Sequence, residues 1–365
     1  MKPHVLISTV GTSLLGNLAR LDDKQEPEVK RLFGEKNWPQ VARWLRTQQP
    51  DGRICGAEIN TIYELTGPDG EIEQTATLHL CVSETEGGDA MGAILKSYYE
   101  GQGRQCAVHC ITDLQDTDVH RFRTHGLRRL VQVIGHIVRS AGGPEYAAIN
   151  ATGGYKAQIA LASVIGQTMG ITVYYKHELF SSIIAMPPMP VCFDYTLLGH
   201  ESALLDALEA GETTEAKERP LDPRLEPLIE VVPIDGKSYL ELSALGQLYL
   251  DGWRLRHPPE KTLPAPAANR EPPRFAGDHH RQRGFEDYVT KVWQETLYIV
   301  GGITGDYGGQ RGIRDRTFSV HNGDVVAEYQ DRSGFGGRFI FRTTAANDIQ
   351  RAAVVDDLNR RYGRG

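Results

Sequence analysis

Over the first 200 residues, short apolar runs alternate with amphipathic stretches. Residues 4–10 (HVLISTV), 107–112 (AVHCIT), 146–150 (YAAIN) and 171–175 (ITVYY) are continuous apolar segments too short for helices. Runs of this kind, buried on both faces, predict the strands of a parallel sheet covered by helices. Between them, residues 119–140 place Leu127, Leu130, Val131, Ile134, Ile137 and Val138 at three- and four-residue spacing, which predicts a helix. A second helix is predicted over 155–169, directly after two glycines.

The pattern then changes. Residues 201–220 (ESALLDALEAGETTEAKERP) predict an acidic helix and a polar break. Residues 221–257 hold a small apolar unit in which Ser243 stands before ALGQLYL as a helix N-cap, consistent with a winged-helix-like connector. Residues 258–273 contain six prolines in sixteen positions, which predicts an extended, semi-rigid linker. Beyond it the pattern predicts a helix over 284–297, with Phe285, Tyr288, Val292 and Trp293 on its core side. Strands follow at 317–320, 325–329 and 338–342, with turns at Asn322-Gly323 and 334–337. The Asn-Gly pair between apolar runs is a strong hairpin signal. The expected organisation is an α/β domain with a parallel sheet over 1–200, a connector and linker over 201–273, and an α+β domain with an antiparallel sheet over 274–365.

Charge adds a contrast between these parts. The 365 residues carry a net charge of -7, but residues 272–365 hold 14 Lys+Arg against 12 Asp+Glu. The tail is therefore +2 and the body -9, and 13 of the 14 tail cations are Arg. A protein coating duplex nucleic acid over its whole surface would be basic throughout. Arginine suits phosphate geometry and base stacking better than lysine does, although a codon bias toward Arg would give the same composition. The five cysteines, Cys55, Cys81, Cys106, Cys110 and Cys192, form no CxxC pair and read as reduced, buried thiols. No apolar run reaches about 18 residues and no signal-peptide pattern opens the chain, so a cytoplasmic protein with no membrane association is expected.

Two segments of the first domain carry candidate chemistry. One is the turn after the first strand, with Gly11, Thr12 and Ser13 in STVGTSLL; the other is NATGGYK, with Asn150, Thr152, Gly153, Gly154 and Lys156. Both stand at carboxyl ends of predicted strands, where open α/β sheets bind ligands. The glycines permit close backbone approach, the helix start favours an anion, and Lys156 supplies a cation. Neither segment is a GxGxxG fingerprint or a P-loop, and each taken alone is also an ordinary turn. Together, in this order, they resemble the two signature segments of the CARF domain of CRISPR-associated proteins, over roughly residues 1–190. The resemblance implies a Rossmann-like fold and a homodimer. It further implies a cyclic oligoadenylate, expected to be cyclic tetra-adenylate, lying on the two turns as allosteric activator, with no other cofactor. Some members of that family also cleave their ligand, through attack of a 2′-OH on the adjacent phosphate. Carried over, that ring-nuclease role falls on Ser13 and Lys156, with binding alone as the alternative.

CARF proteins resemble switches, so the appended effector is a separate question. A PD-(D/E)XK nuclease needs a Glu-x-Lys on a strand; Glu328 is followed by Tyr329 and Gln330, and Lys291 is the one lysine after 261. A HEPN ribonuclease needs Arg-x4–6-His on a helix; Arg316 and His321 have the spacing, but RTFSVH reads as strand. The stretch EYQDRSGFGGRFIFR, residues 328–342, and the ending RRY resemble RelE-like ribonucleases, small α+β toxins that use basic residues and a tyrosine rather than a metal. That resemblance implies RNA, ribosome-bound mRNA in particular, as substrate. Strand alternation puts Arg338 and Arg342 on one face and, just before the hairpin, Arg314 and Arg316 on one face. These four and Tyr362 are the candidate catalytic residues, with a solvated strand face as the bland alternative. No metal is placed, and the pair His279-His280 is read as solvated. The expectation is a ribonuclease switched on by a cyclic oligoadenylate. The rivals are a metal-dependent or HEPN effector, a pure ring nuclease, and a ligand-responsive transcription regulator built on the LSALGQLYL segment, which carries few cations for reading DNA.

Overall fold

The computed structural model describes all residues except 23–25, 116, 178–179, 181, 192, 217–220, 278–283, 306–312, 333–335 and 364–365. His279, His280, Cys192 and part of the expected 334–337 turn therefore lie outside the described residues. The chain forms two compact units, Met1–Cys192 and Phe193–Gly365.

In chain order the first unit contains β1 (Val5–Thr9), α1 (Ser13–Ala19), α2 (Pro27–Gly34), α3 (Trp38–Leu45), α4 (Gly56–Leu65), β2 (Thr77–Ser83) and α5 (Glu86–Glu100). These are followed by β3 (Cys106–Ile111), α6 (Val119–Arg121), α7 (Leu127–Ser140), β4 (Ala147–Asn150), α8 (Lys156–Met169), β5 (Val173–Tyr175) and β6 (Ile184–Met186). Its sheet runs in the order β3-β2-β1-β4-β5-β6, parallel throughout except for the antiparallel edge strand β6. All five residues of β1 are buried, as a central strand covered on both faces requires. From β1 the chain moves outward through β2 and β3, then crosses to β4 on the other side. The strand order therefore reverses between β1 and β4, and the two candidate turns stand at the carboxyl ends of these strands.

The expected parallel sheet is present, with two strands the pattern did not reveal. In β2, Leu78, Leu80 and Val82 face a buried core while His79 interrupts the run; β6 is short, with Ile184 exposed. The helix expected over 119–140 has a π-type turn at Phe122–Gly126 between α6 and α7. Cys55, Cys81 and Cys106 are buried free thiols as expected, whereas Cys110, at the open edge of the sheet on β3, is exposed.

The second unit contains α9 (Leu198–Ala210), β7 (Thr214–Glu215), β8 (Ile229–Ile234), β9 (Lys237–Leu242), α10 (Ala244–Arg256), α11 (Pro259–Thr262) and α12 (Phe285–Glu295). Then come β10 (Ile299–Thr304), β11 (Thr317–His321), β12 (Asp324–Gln330), β13 (Gly336–Thr343) and α13 (Asp348–Tyr362). Two antiparallel sheets form, β7-β9-β8 and β10-β13-β12-β11. Ser243 caps α10, its hydroxyl accepting from the Gly246 amide at 3.0 Å. Asn322 and Gly323 both take left-handed φ values, 50° and 86°, as a type I′ hairpin turn demands.

Two features change the expected organisation of this half. The proline-rich stretch is not a free connector. Ala267, Glu271 and Arg274 donate to the carbonyls of Leu297, Val300 and Gly302 at 2.9, 2.8 and 3.0 Å, so the segment runs alongside β10. Prolines lack an N–H, and the donors are the residues between and just after them. The chain also ends in a 15-residue helix, α13, which the pattern of apolar positions did not reveal. Ala352 and Ala353 of α13 join the core of α9, α10 and β9, while Val354, Val355 and Leu358 join the core of α12 and the four-stranded sheet. One helix thus serves both the connector and the C-terminal sheet. No helix among the described residues is long and apolar enough to cross a membrane.

Candidate functional site

The two turns of the first unit meet. A Cβ on Gly11 would lie 2.8 Å from the Gly154 amide nitrogen, and one on Gly153 would lie 2.8 Å from the Gly11 nitrogen, so the backbones touch where any side chain would intrude. Gly154 has a φ of 104°, a conformation that suits glycine. Thr9 Oγ1 donates to the Gly153 carbonyl at 2.5 Å and ties the end of β1 to the second turn. Beneath the junction, Glu58 of α4 accepts the Gly11 amide proton at 2.7 Å. This carboxyl is fully buried, and burial pushes its pKa above the ordinary carboxylate range despite that bond.

The predicted ligand residues fall into two groups. Thr12, Ser13 and Lys156 are exposed, and Lys156 opens α8 with no ion pair among the described residues. Ser13 Oγ accepts weakly, at 3.5 Å, from the Ala57 amide near the start of α4. Asn150 and Thr152 instead shape the loop. Asn150 is fully buried, donates to Ser8 Oγ at 3.2 Å and accepts from the Thr152 amide at 3.2 Å. Thr152 Oγ1 accepts from the Lys176 amide at 3.1 Å, which holds the turn against the segment after β5. The surface offered to a ligand is therefore glycine backbone, two hydroxyl-bearing residues and one ammonium, a set suited to a phosphate-bearing ligand.

Glu58 escaped the sequence reading. Its signal was an acid standing on the apolar stripe of α4, with Ile62 and Leu65 four and seven residues on. Such a position predicts burial, and a buried acid needs a local reason.

Residues 53–189, somewhat over a third of the chain, match the family model described as CRISPR-associated protein (Cas_APE2256). The match supports a CRISPR-associated protein. It spans Glu58 and the whole Asn150–Lys156 turn, and begins after the Gly11 turn. No curated protein matches the chain.

In the second unit, the predicted arginines are placed less uniformly. Glu328 and Arg338 are cross-strand partners on β12 and β13, and their side chains form a 2.8 Å ion pair. The other Glu328 oxygen accepts from the Arg314 amide at 3.0 Å and from Thr317 Oγ1 at 3.4 Å. Arg342 lies on the same outward face as Arg338, with Phe339 and Phe341 buried opposite, and reaches Glu271 at 3.5 Å. Arg314 and Arg316 precede β11 instead of alternating along it, because Arg316 takes a φ of 53° in a turn. Its guanidinium lies over the Tyr288 and Tyr329 rings, 5.6 and 5.9 Å from their centroids. Tyr329 belongs to the core on the helix-covered side of the sheet, so Arg316 does not join Arg338 on one surface. Tyr362, in the last turn of α13, donates its hydroxyl to Glu295 Oε2 at 2.9 Å and accepts from Arg361 at 2.6 Å. Burial pushes that phenol above its ordinary range. Arg316 and His321, which have the HEPN spacing, flank and end a strand, as their composition predicted. Among the described residues no group of three His, Cys, Asp or Glu side chains is placed to hold a metal ion.

Proposed function

We propose that the chain is a CRISPR-associated effector whose first unit senses a cyclic oligoadenylate and whose C-terminal sheet cleaves RNA. The observation that carries the reading is the junction of the Gly11 and Gly153–Gly154 turns at the switch point of a parallel sheet, with the exposed Lys156 beside it. A ring of phosphodiesters on a two-fold axis needs such a backbone-lined, cation-bearing site from each of two copies, so the active form is a homodimer. Thr12, Ser13 and Lys156 contact the ligand, while Asn150 and Thr152 hold the loop. Ser13 and Lys156 remain the candidates for a slow, self-limiting cleavage of the ligand.

The effector reading rests on an α+β unit with helices on one face of an antiparallel sheet and the Arg338–Arg342 pair on the other. In a RelE-like ribonuclease that pair clamps the phosphate during attack by the substrate's own 2′-OH. Arg314 adjoins this pair through Glu328, whose second oxygen holds its amide, while Arg316 and Tyr362 stand apart from it; all three take supporting roles. The ribosome then supplies the positioning of mRNA that the domain lacks.

The test is incubation of the full chain with cyclic tri-, tetra- and hexa-adenylate, RNA and translating ribosomes, with and without EDTA. Ligand-dependent RNA cleavage that survives EDTA and requires ribosomes is expected. Loss with EDTA transfers the effector to a metal nuclease, and cleavage of the ligand alone makes the protein a ring nuclease.

A further inference from the structure

Glu58 is a buried acid with no ion pair among the described residues. Its Oε1 takes the Gly11 amide proton, and a Cβ on Gly153 would sit 2.1 Å from that oxygen, so the carboxyl packs against both turns at once. Its Oε2 is buried and makes no hydrogen bond. Among the described residues no cation pairs with it; the Arg104 guanidinium lies over the Tyr99 ring, 5.5 Å from its centroid, and bonds Thr66 and the Ala76 carbonyl instead. Gly11, Gly153 and Gly154 present backbone only. On α5, Tyr99 faces it electrostatically, and the buried Tyr99 hydroxyl also lacks a partner. On its own helix the next acid, Glu64, is paired with Lys176. Lys156, exposed at the start of α8, makes no ion pair with it.

We infer that Glu58 is a positioning residue that clamps the two ligand turns together and that an anion on those turns is held best while the Glu58 carboxyl is neutral. The inference rests on the sensor reading for the identity of the anion. The physical reason is direct. The Gly11 amide that Glu58 holds lies in the turn that must face the ligand's phosphates. An ionised carboxylate behind that turn would place a poorly screened negative charge beside the bound anion. Burial already favours the acid form, so the unliganded site is poised toward the neutral state. Ligand binding then takes up a proton wherever Glu58 is ionised in the free protein, and affinity falls as pH rises through its titration.

The experiment is titration of the full chain with labelled cyclic tetra-adenylate from about pH 5.5 to about pH 8.5, beside Glu58→Gln and Glu58→Leu. Glutamine keeps an acceptor for the Gly11 amide without the charge. Wild-type affinity is expected to fall by up to about tenfold per pH unit above the titration point, while Glu58→Gln stays flat and binds more tightly at the alkaline end. Glu58→Leu loses the clamp and binds weakly at every pH. Parallel pH profiles for wild type and Glu58→Gln overturn the inference. If wild type binds at no pH, the sensor reading falls, and with it the clause on the anion. The proton link is then decided without ligand, by thermal unfolding of wild type and Glu58→Gln. Because the folded-state pKa is raised, wild type should lose stability relative to the variant as pH rises from about 4 toward that value. A constant difference overturns it.

Discussion

The two candidate sites are built from opposite materials. At the first, the polar groups come from glycine turns fixed by the sheet, and the exposed cation, Lys156, has no ion pair among the described residues. At the second, the arginines are already engaged: Arg338 with Glu328, Arg342 with Glu271, Arg316 with two tyrosine rings. A backbone site is preorganised and binds an anion without giving anything up. A side-chain site of paired arginines must exchange carboxylate for phosphate. The first unit is thus ready for a ligand as it stands, whereas the second holds its charge in reserve. On the function proposed above, that arrangement is what an effector that acts only when switched on would need.

The sharpest way to break this contrast is at the turn junction. Gly11→Ala drives a methyl group into the Gly154 backbone, which has no side chain to move aside. We expect affinity for cyclic tetra-adenylate to fall by at least about 100-fold, equivalent to roughly 3 kcal/mol, with a lower unfolding midpoint as well. Unchanged binding by calorimetry would remove the junction from the site. Lys156→Ala tests the same site through charge alone. About tenfold weaker binding, a shallower salt dependence and an unchanged melting temperature are expected, because the side chain is exposed and has no ion pair among the described residues.

The same contrast explains what the sequence made legible. The β1 turn and the β4–α8 turn were readable because glycine, a strand end and a helix start leave local marks. The alternation that put Arg338 and Arg342 on one face also held, since β13 is a regular strand with Phe339 and Phe341 buried opposite. Arg316 was misplaced because one residue at φ 53° ends the alternation, and nothing in RDRTF announces that turn. Pairing was invisible for a different reason. Glu328 meets Arg338 across two strands, and Glu271 meets Arg342 only because the proline-rich stretch lies along β10. The helix α13 was missed because its buried residues face two cores, so no single apolar stripe marks it.

A smaller effect sharpens the second site. Glu328→Gln removes the charge that Arg338 pairs with while keeping acceptors for the Arg314 amide and Thr317. RNA binding by the full chain should strengthen severalfold in a filter-binding assay, since a partly exposed ion pair is worth about 1 kcal/mol. Arg338→Ala should abolish cleavage of RNA in the same preparation. If Glu328→Gln left RNA binding unchanged and Arg338→Ala left cleavage intact, the outer sheet face would not be the RNA surface.

The least perturbing test concerns how the second unit buries its acids. Asp206 of α9 lies against Arg254 of α10 at 3.5 Å, with Glu209, Asp356 and Arg360 close by. Burial, and then the Asp356 charge, push its pKa up to about 7. Unlike Glu58, it has a cation, but one shared with Glu209, which bonds Arg254 at 2.6 Å. The folded state therefore keeps the Asp206 proton where the unfolded chain, titrating near about 3.9, has released it. Wild-type stability falls as pH rises through that window and levels off above about pH 7. Asp206→Asn lacks the titration, so its unfolding midpoint should gain on wild type between about pH 4 and pH 7 and hold a constant advantage beyond. Each kcal/mol should appear as roughly 2–4 °C for a unit of this size. Parallel unfolding curves across that range would show that Arg254 satisfies all the acids around it, and the unit would then be no more sensitive to pH than its surface charges make it.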